Sequence, residues 1–273
     1  MSNDAWKLII AAALDLLLGD PNIIRHPVRI IGSYITFCEN RARRLLPSYP
    51  TFAGFLTGAS TVFLTFSVVF LSVNLAEKTD PRLGAAIEII WIYLALSAGD
   101  LSKSALKVFF AVKSGNIANA RNCLSMIVGR DTRSLDDNEI SRASIETVAE
   151  SFVDGILSPL FFLFIGGAPL MWAYKAVNTC DSMIGHNDEK YRQFGKFSAK
   201  LDDLANFAPA RIAIPVIFIA AIALKIMAEP FRPLNCVITA LKDGRKHASP
   251  NSGAPEACFA GALGVKLGGT NYY

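Results

Sequence analysis

Charge is what this chain has least of. Only 18% of its 273 residues are Asp, Glu, Lys or Arg, against roughly 25% in an ordinary soluble domain. The deficit is concentrated. Residues 52–76, FAGFLTGASTVFLTFSVVFLSVNLA, carry no charge at all, and about 20 such residues span a hydrocarbon core. A buried helix of a soluble protein seldom stays apolar around its whole circumference for this long. Other absences narrow the field. The five cysteines (Cys38, Cys123, Cys180, Cys236 and Cys258) are odd in number and lack C-x-x-C spacing, so neither a disulfide framework nor a zinc site is expected. There is no G-x-x-x-x-G-K-[ST] loop, no G-x-G-x-x-G, and no G-x-S-x-G or Cys–His nucleophile pattern. Basic residues form no stripe, which argues against nucleic acid. The first apolar stretch, Trp6 to Leu18, is broken by Asp15 and lacks a small-residue cleavage site, so it is expected to belong to the mature protein rather than to a cleaved signal.

What is present is a set of hydrophobic segments, at about 6–18, 52–76, 83–99, 155–174 and 207–228. Together they predict an all-α, polytopic integral membrane protein with helical cytoplasmic loops. The fourth segment contains Gly166-Gly167 followed by Pro169. That sequence predicts a broken or re-entrant helix, which a membrane tolerates only where protein or water satisfies the freed backbone. Between the apolar segments, Asp136 or Asp137 is placed to cap a helix over about 138–152. Residues 175–206 read as a polar helix–turn–helix, and 229–257, rich in Pro, Gly, Asn and Ser, as loop. No repeat or linker divides residues 1–273, which are taken as a single membrane-embedded domain. Loop 19–51 holds five Arg and segment 100–154 seven Lys plus Arg, which puts both on the cytoplasmic side. Segment 175–206 has five Lys plus Arg, and reaches that side only if 155–174 turns back at Gly166-Gly167. The net charge of +4 suits cytoplasmic loops facing anionic lipid.

Five polar sets stand out. Arg142, Glu146, Glu150 and Asp154 recur every fourth residue and form one slowly winding helix stripe. Its carboxylates repel each other, so Arg142, a bound Mg²⁺ or a cationic substrate group should compensate; a solvated helix face is the plain alternative. Lys175, Asn178, Asp181 and Ser182 begin inside an apolar helix, where ionisable groups mark functional sites by default, unless the chain simply emerges into water at Lys175. Lys200, Asp202, Asp203 and Asn206 precede Arg211, and neighbouring carboxylates beside an amide suit Mg²⁺ with phosphate; a solvated turn would look the same. His26 lies in GDPNIIRHPVRIIG and could titrate near neutrality, although a lone His is more often structural. Arg245, Lys246 and His247 form a cationic knot beside a glycine-rich turn, suited to an anionic ligand or merely solvated.

Taken in order, LDLLLGDP…HPVRIIG, VGRDT…LDDNEISRASIETVAES…DG, YKAVNTCDSMIGH…KYRQFGKFSAKLDDLANFAPAR and RKHASPNSGAPEACFAGALGVKLGG resemble the adenosylcobinamide-phosphate synthase family of cobalamin biosynthesis. Ser151-Phe152, His186 and Ala254 depart from the pattern of that family, in which Asn-Thr, an aromatic and Trp are usual. The resemblance implies a carbon–nitrogen ligase of the cytoplasmic membrane that uses ATP and Mg²⁺. It would join adenosylcobyric acid, a corrinoid, to 1-amino-2-propanol or its phosphate. It also implies a chain continuing a little past Tyr273, and is compatible with a complex with other cobalamin-biosynthesis proteins. On this reading Glu146, Glu150, Asp154, Lys175 and Asp181 are expected to be catalytic. His26, Arg130, Asn178, Lys200, Arg211, Arg245, Lys246 and His247 would bind substrate or phosphate, and Asp202 and Asp203 the metal. The rival readings are a secondary transporter, which would want an internal repeat, and an intramembrane prenyltransferase, which would want a second acidic motif on a distant helix.

Overall fold

The computed structural model describes residues 5–21, 26–227, 230–247 and 249–268, and among these every regular element is helical. Four helical runs, 50–79, 81–113, 137–184 and 196–227, are long and apolar enough to cross a membrane. The first predicted segment is instead the 14-residue helix α1 (Ala5–Leu18), which at about 1.5 Å per residue is too short to span. The chain forms two compact units, residues 1–99 with 155–206, and residues 100–154 with 207–273.

The first unit is built on α1, α2 (Pro27–Leu45), α3 (Pro50–Thr79) and α4 (Pro81–Ala95). Proline opens α2, α3 and α4, where its missing N–H costs nothing and its fixed φ is already helical. Asp80 caps α4 by accepting from the Arg82 N–H at 2.7 Å. The α3–α4 corner is tight enough that a Cβ on Gly84 would lie 2.8 Å from Glu77. Ile31, Ile35, Ala53, Val69, Trp172 and Phe194 belong to the unit's buried core.

The helix α8 (Ser158–Ile184) is not a straight rod. Gly166 (φ −148°, ψ 26°) and Gly167 (φ 69°, ψ −168°) leave helical geometry inside it. On a straight helix residues 158 and 174 would stand roughly 24 Å apart. Here the Ser158 and Tyr174 hydroxyls both donate to one atom, Asn206 Oδ1, at 2.6 and 2.9 Å. Phe162 also stacks on Tyr174 with ring centroids 5.1 Å apart. The chain therefore reverses at Gly166-Gly167 as a helical hairpin, the re-entrant form of the predicted break. Its base lies at Ser97, whose hydroxyl donates to the Gly155 carbonyl at 3.1 Å. Its tip lies near Glu88, whose Oε1 would be 3.8 Å from a Cβ on Gly167. Glu88 accepts from Lys7 Nζ at 2.7 Å, so the one charge of the third apolar segment is paired, as ionisable groups in such segments commonly are.

The second unit holds α5 (Ala98–Lys113), α6 (Ile117–Ser125), α7 (Asp137–Phe152), α10 (Pro233–Asp243) and α11 (Gly253–Leu263). The helix α9 (Lys196–Met227) begins in the first unit and continues into the second. Asp136 caps α7 in a full capping box with Glu139, which fixes the start of the acidic stripe where the sequence places it. The expectation of loop over 229–257 is overturned by α10 and the start of α11. Pro233 sits at the first turn of α10, where proline starts a helix rather than breaking one. Buried Cys236 and Ala240 give α10 a face that packs on α11. A Cβ on Gly261 would lie 2.2 Å from the Asn235 carbonyl oxygen, so the absence of side chains lets the two helices approach. Cys236 and Cys258 are joined as a disulfide across that contact, contrary to the expectation drawn from cysteine number. Cysteine count and spacing carry no information about two helix faces brought together by glycine.

Candidate functional site

Each unit gathers polar side chains that are far apart in the sequence. In the first, the set on α8 meets the set on α9. Asn206, buried, is the hub: its Oδ1 accepts the Ser158 and Tyr174 hydroxyls, and its Nδ2 donates to Asp202 Oδ2 at 3.0 Å. Asp202 Oδ1 stands 3.5 Å from Asn178 Nδ2. Asp202 is thus held by two amides, the kind of support that orients a carboxylate for a cation. Asp203, one residue on, and Lys200 are exposed. Lys175 and Asp181 are half-buried on α8, one on each side of Asn178. Among the described residues no group of three or more His, Cys, Asp and Glu is arranged to hold a metal ion.

His26, in the same unit, caps α2. Its Nδ1 accepts from the Val28 N–H at 3.3 Å and its Nε2 lies 3.0 Å from the Leu94 carbonyl. Both bonds are satisfied by a neutral ring with its proton on Nε2. Asp20 stands 3.4 Å from Nε2.

In the second unit, the α7 stripe meets the C-terminal segment. Glu146 accepts from Arg130 Nη2 at 2.7 Å, stands 3.6 Å from Arg142 Nε, and accepts from the Gly268 N–H at 2.8 Å. The repulsion foreseen along the stripe is compensated here by two arginines. The Gly268 bond holds segment 265–268 against α7. That segment, with Lys266, walls a cavity of about 430 Å³ bounded also by Asp243, Lys246, His247 and Glu256. Its other side faces a second cavity, about 350 Å³, with Ser141, Arg142 and Ile145.

Glu256 is the residue that sequence reading missed. It lies in the first turn of α11 with 14% of its side chain exposed, and His247 Nε2 is 3.7 Å from its Oε1. Burial first, then the negative charges of Glu150 and Glu146, push its carboxyl up to about 7 from an ordinary 4.5, against a smaller opposing pull from Arg130. A signal was available: Glu256 is the sole charged residue of GAPEACFAGAL. Glu150 is exposed on α7 and Asp154 half-buried in the single π-turn that follows it. Lys246 donates to Asp243, while Arg245, beside it, is exposed and outside the cavity wall. Arg211 donates to Asn251 Oδ1 at 2.7 Å and to the Phe207 carbonyl at 2.9 Å, with its guanidinium 3.8 Å from the Phe207 ring. It thereby pins the loop that leads into α11.

Comparison with known proteins agrees with the sequence resemblance. The family model described as CobD/Cbib protein matches residues 8–273. The cobalamin biosynthesis protein CobD of Clostridium perfringens is 48% identical over 267 residues, covering 98% of this chain and 83% of that protein. The CobD protein of Klebsiella pneumoniae is 44% identical, and the cobalamin biosynthesis protein CbiB of Salmonella typhimurium 43%, with the same coverage. No solved structure matches.

Proposed function

Because the chain belongs to the CobD/CbiB family of cobalamin biosynthesis proteins, we propose that it is a membrane-bound ligase that joins adenosylcobyric acid to 1-amino-2-propanol or its phosphate, with hydrolysis of ATP. The observation that carries this reading is the cavity of the second unit. Cationic Lys246 and Lys266 and the carboxylates of Asp243 and Glu256 face one space of about 430 Å³, a fit for a small molecule bearing both an ammonium and a phosphate.

Amide formation from a carboxylate and an ammonium is unfavourable in water, and Mg²⁺–ATP supplies the activation of the carboxyl. The residues of the first unit fit such a group. Mg²⁺ bound with phosphate needs only one or two protein carboxylates, and Asp202, oriented by Asn206 and Asn178, offers one beside Asp203. Lys175 and Lys200 are cations of the type that holds phosphate oxygens. In the second unit Glu146 clamps Arg130, Arg142 and the cavity wall at Gly268.

The test is direct. Detergent-purified protein is incubated with adenosylcobyric acid, ATP, Mg²⁺ and each amine in turn, and the corrinoid is weighed. A product heavier by the amine less one water, formed only with ATP, is expected. Unchanged corrinoid with both amines would reject the reading. A secondary transporter is the second reading, favoured by the re-entrant hairpin and the Lys7–Glu88 pair at its tip; substrate counterflow in liposomes without ATP would support it instead.

A further inference from the structure

We propose that Glu256 is the proton acceptor for the amine, and that the cavity in front of it, walled by Lys246, His247 and Lys266, is the amine's binding site. The proposal rests on the amide-forming reading above. Four carboxylates compete for the role in this unit. Asp243, on the cavity wall, is engaged by Lys246. Glu146 is occupied by Arg130, Arg142 and the Gly268 N–H. Glu150 is exposed on α7 and does not wall the cavity. Glu256 alone is both largely buried and on the cavity wall.

Its surroundings poise it for proton transfer. His247 faces it at 3.7 Å from the turn after α10. Glu146 and Glu150 face it from α7, and Arg130 from the loop before that helix. The balance holds its carboxyl near 7, where a base can both take a proton from an ammonium and release it to water. An aminoalkyl phosphate fits with its ammonium toward Glu256 and its phosphate toward Lys246 and Lys266. In the reaction, the ammonium gives one proton to Glu256. The nitrogen lone pair then forms the C–N bond to the corrinoid carboxyl carbon. The bond from that carbon to its phosphate oxygen, derived from the nucleoside triphosphate, breaks. The second nitrogen proton leaves with the phosphate, and Glu256 returns its proton to solvent.

The experiment uses the full chain in nanodiscs, with the amide product followed from about pH 5 to 9. Glu256→Gln should lower kcat by about 100-fold or more and abolish the acidic limb of the pH profile. Glu256→Asp should restore part of the rate. A Gln variant with wild-type kcat and an intact acidic limb overturns the proposal. Lys246→Ala and Lys266→Ala should raise KM for the phosphorylated amine by about tenfold and leave KM for ATP unchanged; no change in either variant overturns the placement of the amine. Melting temperatures no lower than that of the wild type show that each variant is folded, and Gln mimics the protonated acid. If wild-type protein makes no amide with any amine, the ligase reading fails by itself. Calorimetry with aminopropanol phosphate then decides the site. Binding that weakens about tenfold in Glu256→Gln supports it, and equal binding by both proteins, or none by either, overturns it.

Discussion

Glu146 sets one negative charge against two half-buried guanidinium groups and a backbone N–H, so its removal takes away the carboxylate they share. Glu146→Ala should therefore cost about 1–3 kcal/mol of stability, read as a lowered melting temperature, and loosen segment 265–268. Glu150→Gln should behave differently. Glu150 is exposed and acts on Glu256 through its charge, so neutralising it should move the Glu256 titration down toward its ordinary range without loss of fold. A titration at the wild-type pH in this variant would separate the two residues. Glu256 also links stability to pH. Its folded value, about 7, lies above the ordinary 4.5, so its contribution is fully present below the unfolded value and is lost as pH rises through the folded one. Melting temperature should fall across that window in the wild-type protein and fall less in Glu256→Gln. Asp202→Asn should raise the Mg²⁺ requirement by about 10–100-fold, and more than Asp203→Asn, because only Asp202 is oriented by Asn206 and Asn178.

The hairpin in α8 is the element on which most of the first unit's polar geometry depends. Gly167 has φ 69° and ψ −168°, a region essentially closed to residues with a Cβ. Gly167→Ala should cost about 1–3 kcal/mol and reduce activity by displacing Tyr174 from Asn206. At the hairpin tip, Lys7→Met alone would strand the Glu88 carboxylate, whereas Lys7→Met with Glu88→Leu removes both charges; the double variant should recover most of the lost stability. This element was legible because two glycines and a proline interrupt an apolar run. The α7 cap was legible for a similar reason: Asp136 and Glu139 signal a helix start by local chemistry alone. The helices α10 and α11 were not. Their prolines and glycines serve a first turn and a close helix approach, uses that composition cannot tell from loop. Nor does spacing show that Asn178 meets Asp202, or that Glu146 reaches Gly268; those pairings exist only once the helices are packed.

Across the whole molecule the hairpin also changes the charge count by which the chain is oriented. A straight crossing at 155–174 would put Lys190 and Arg192 opposite the arginine-rich loop 19–51. A chain that turns back at Gly166-Gly167 returns them to the same side, in keeping with the bias of Lys and Arg toward the cytoplasm. On that count the α3–α4 corner at Asp80 is expected on the outer side. In the second unit, the bond from Gly268 to Glu146 holds segment 265–268 against α7. The expected labelling pattern follows. With Cys38 and Cys123 replaced by serine, Cys180 buried and Cys236 joined to Cys258, one cysteine at a time is added at Leu45, Lys78, Arg133 or Glu189, all exposed positions, and treated in intact cells with an impermeant maleimide. Lys78→Cys should label at once. Leu45→Cys, Arg133→Cys and Glu189→Cys should label only after the membrane is permeabilised. Labelling of Glu189→Cys from outside would mean that 155–184 crosses the bilayer and the hairpin does not exist in the membrane. Labelling of Arg133→Cys from outside would place α7 and the cavity beside it away from the ATP on which the proposed chemistry depends.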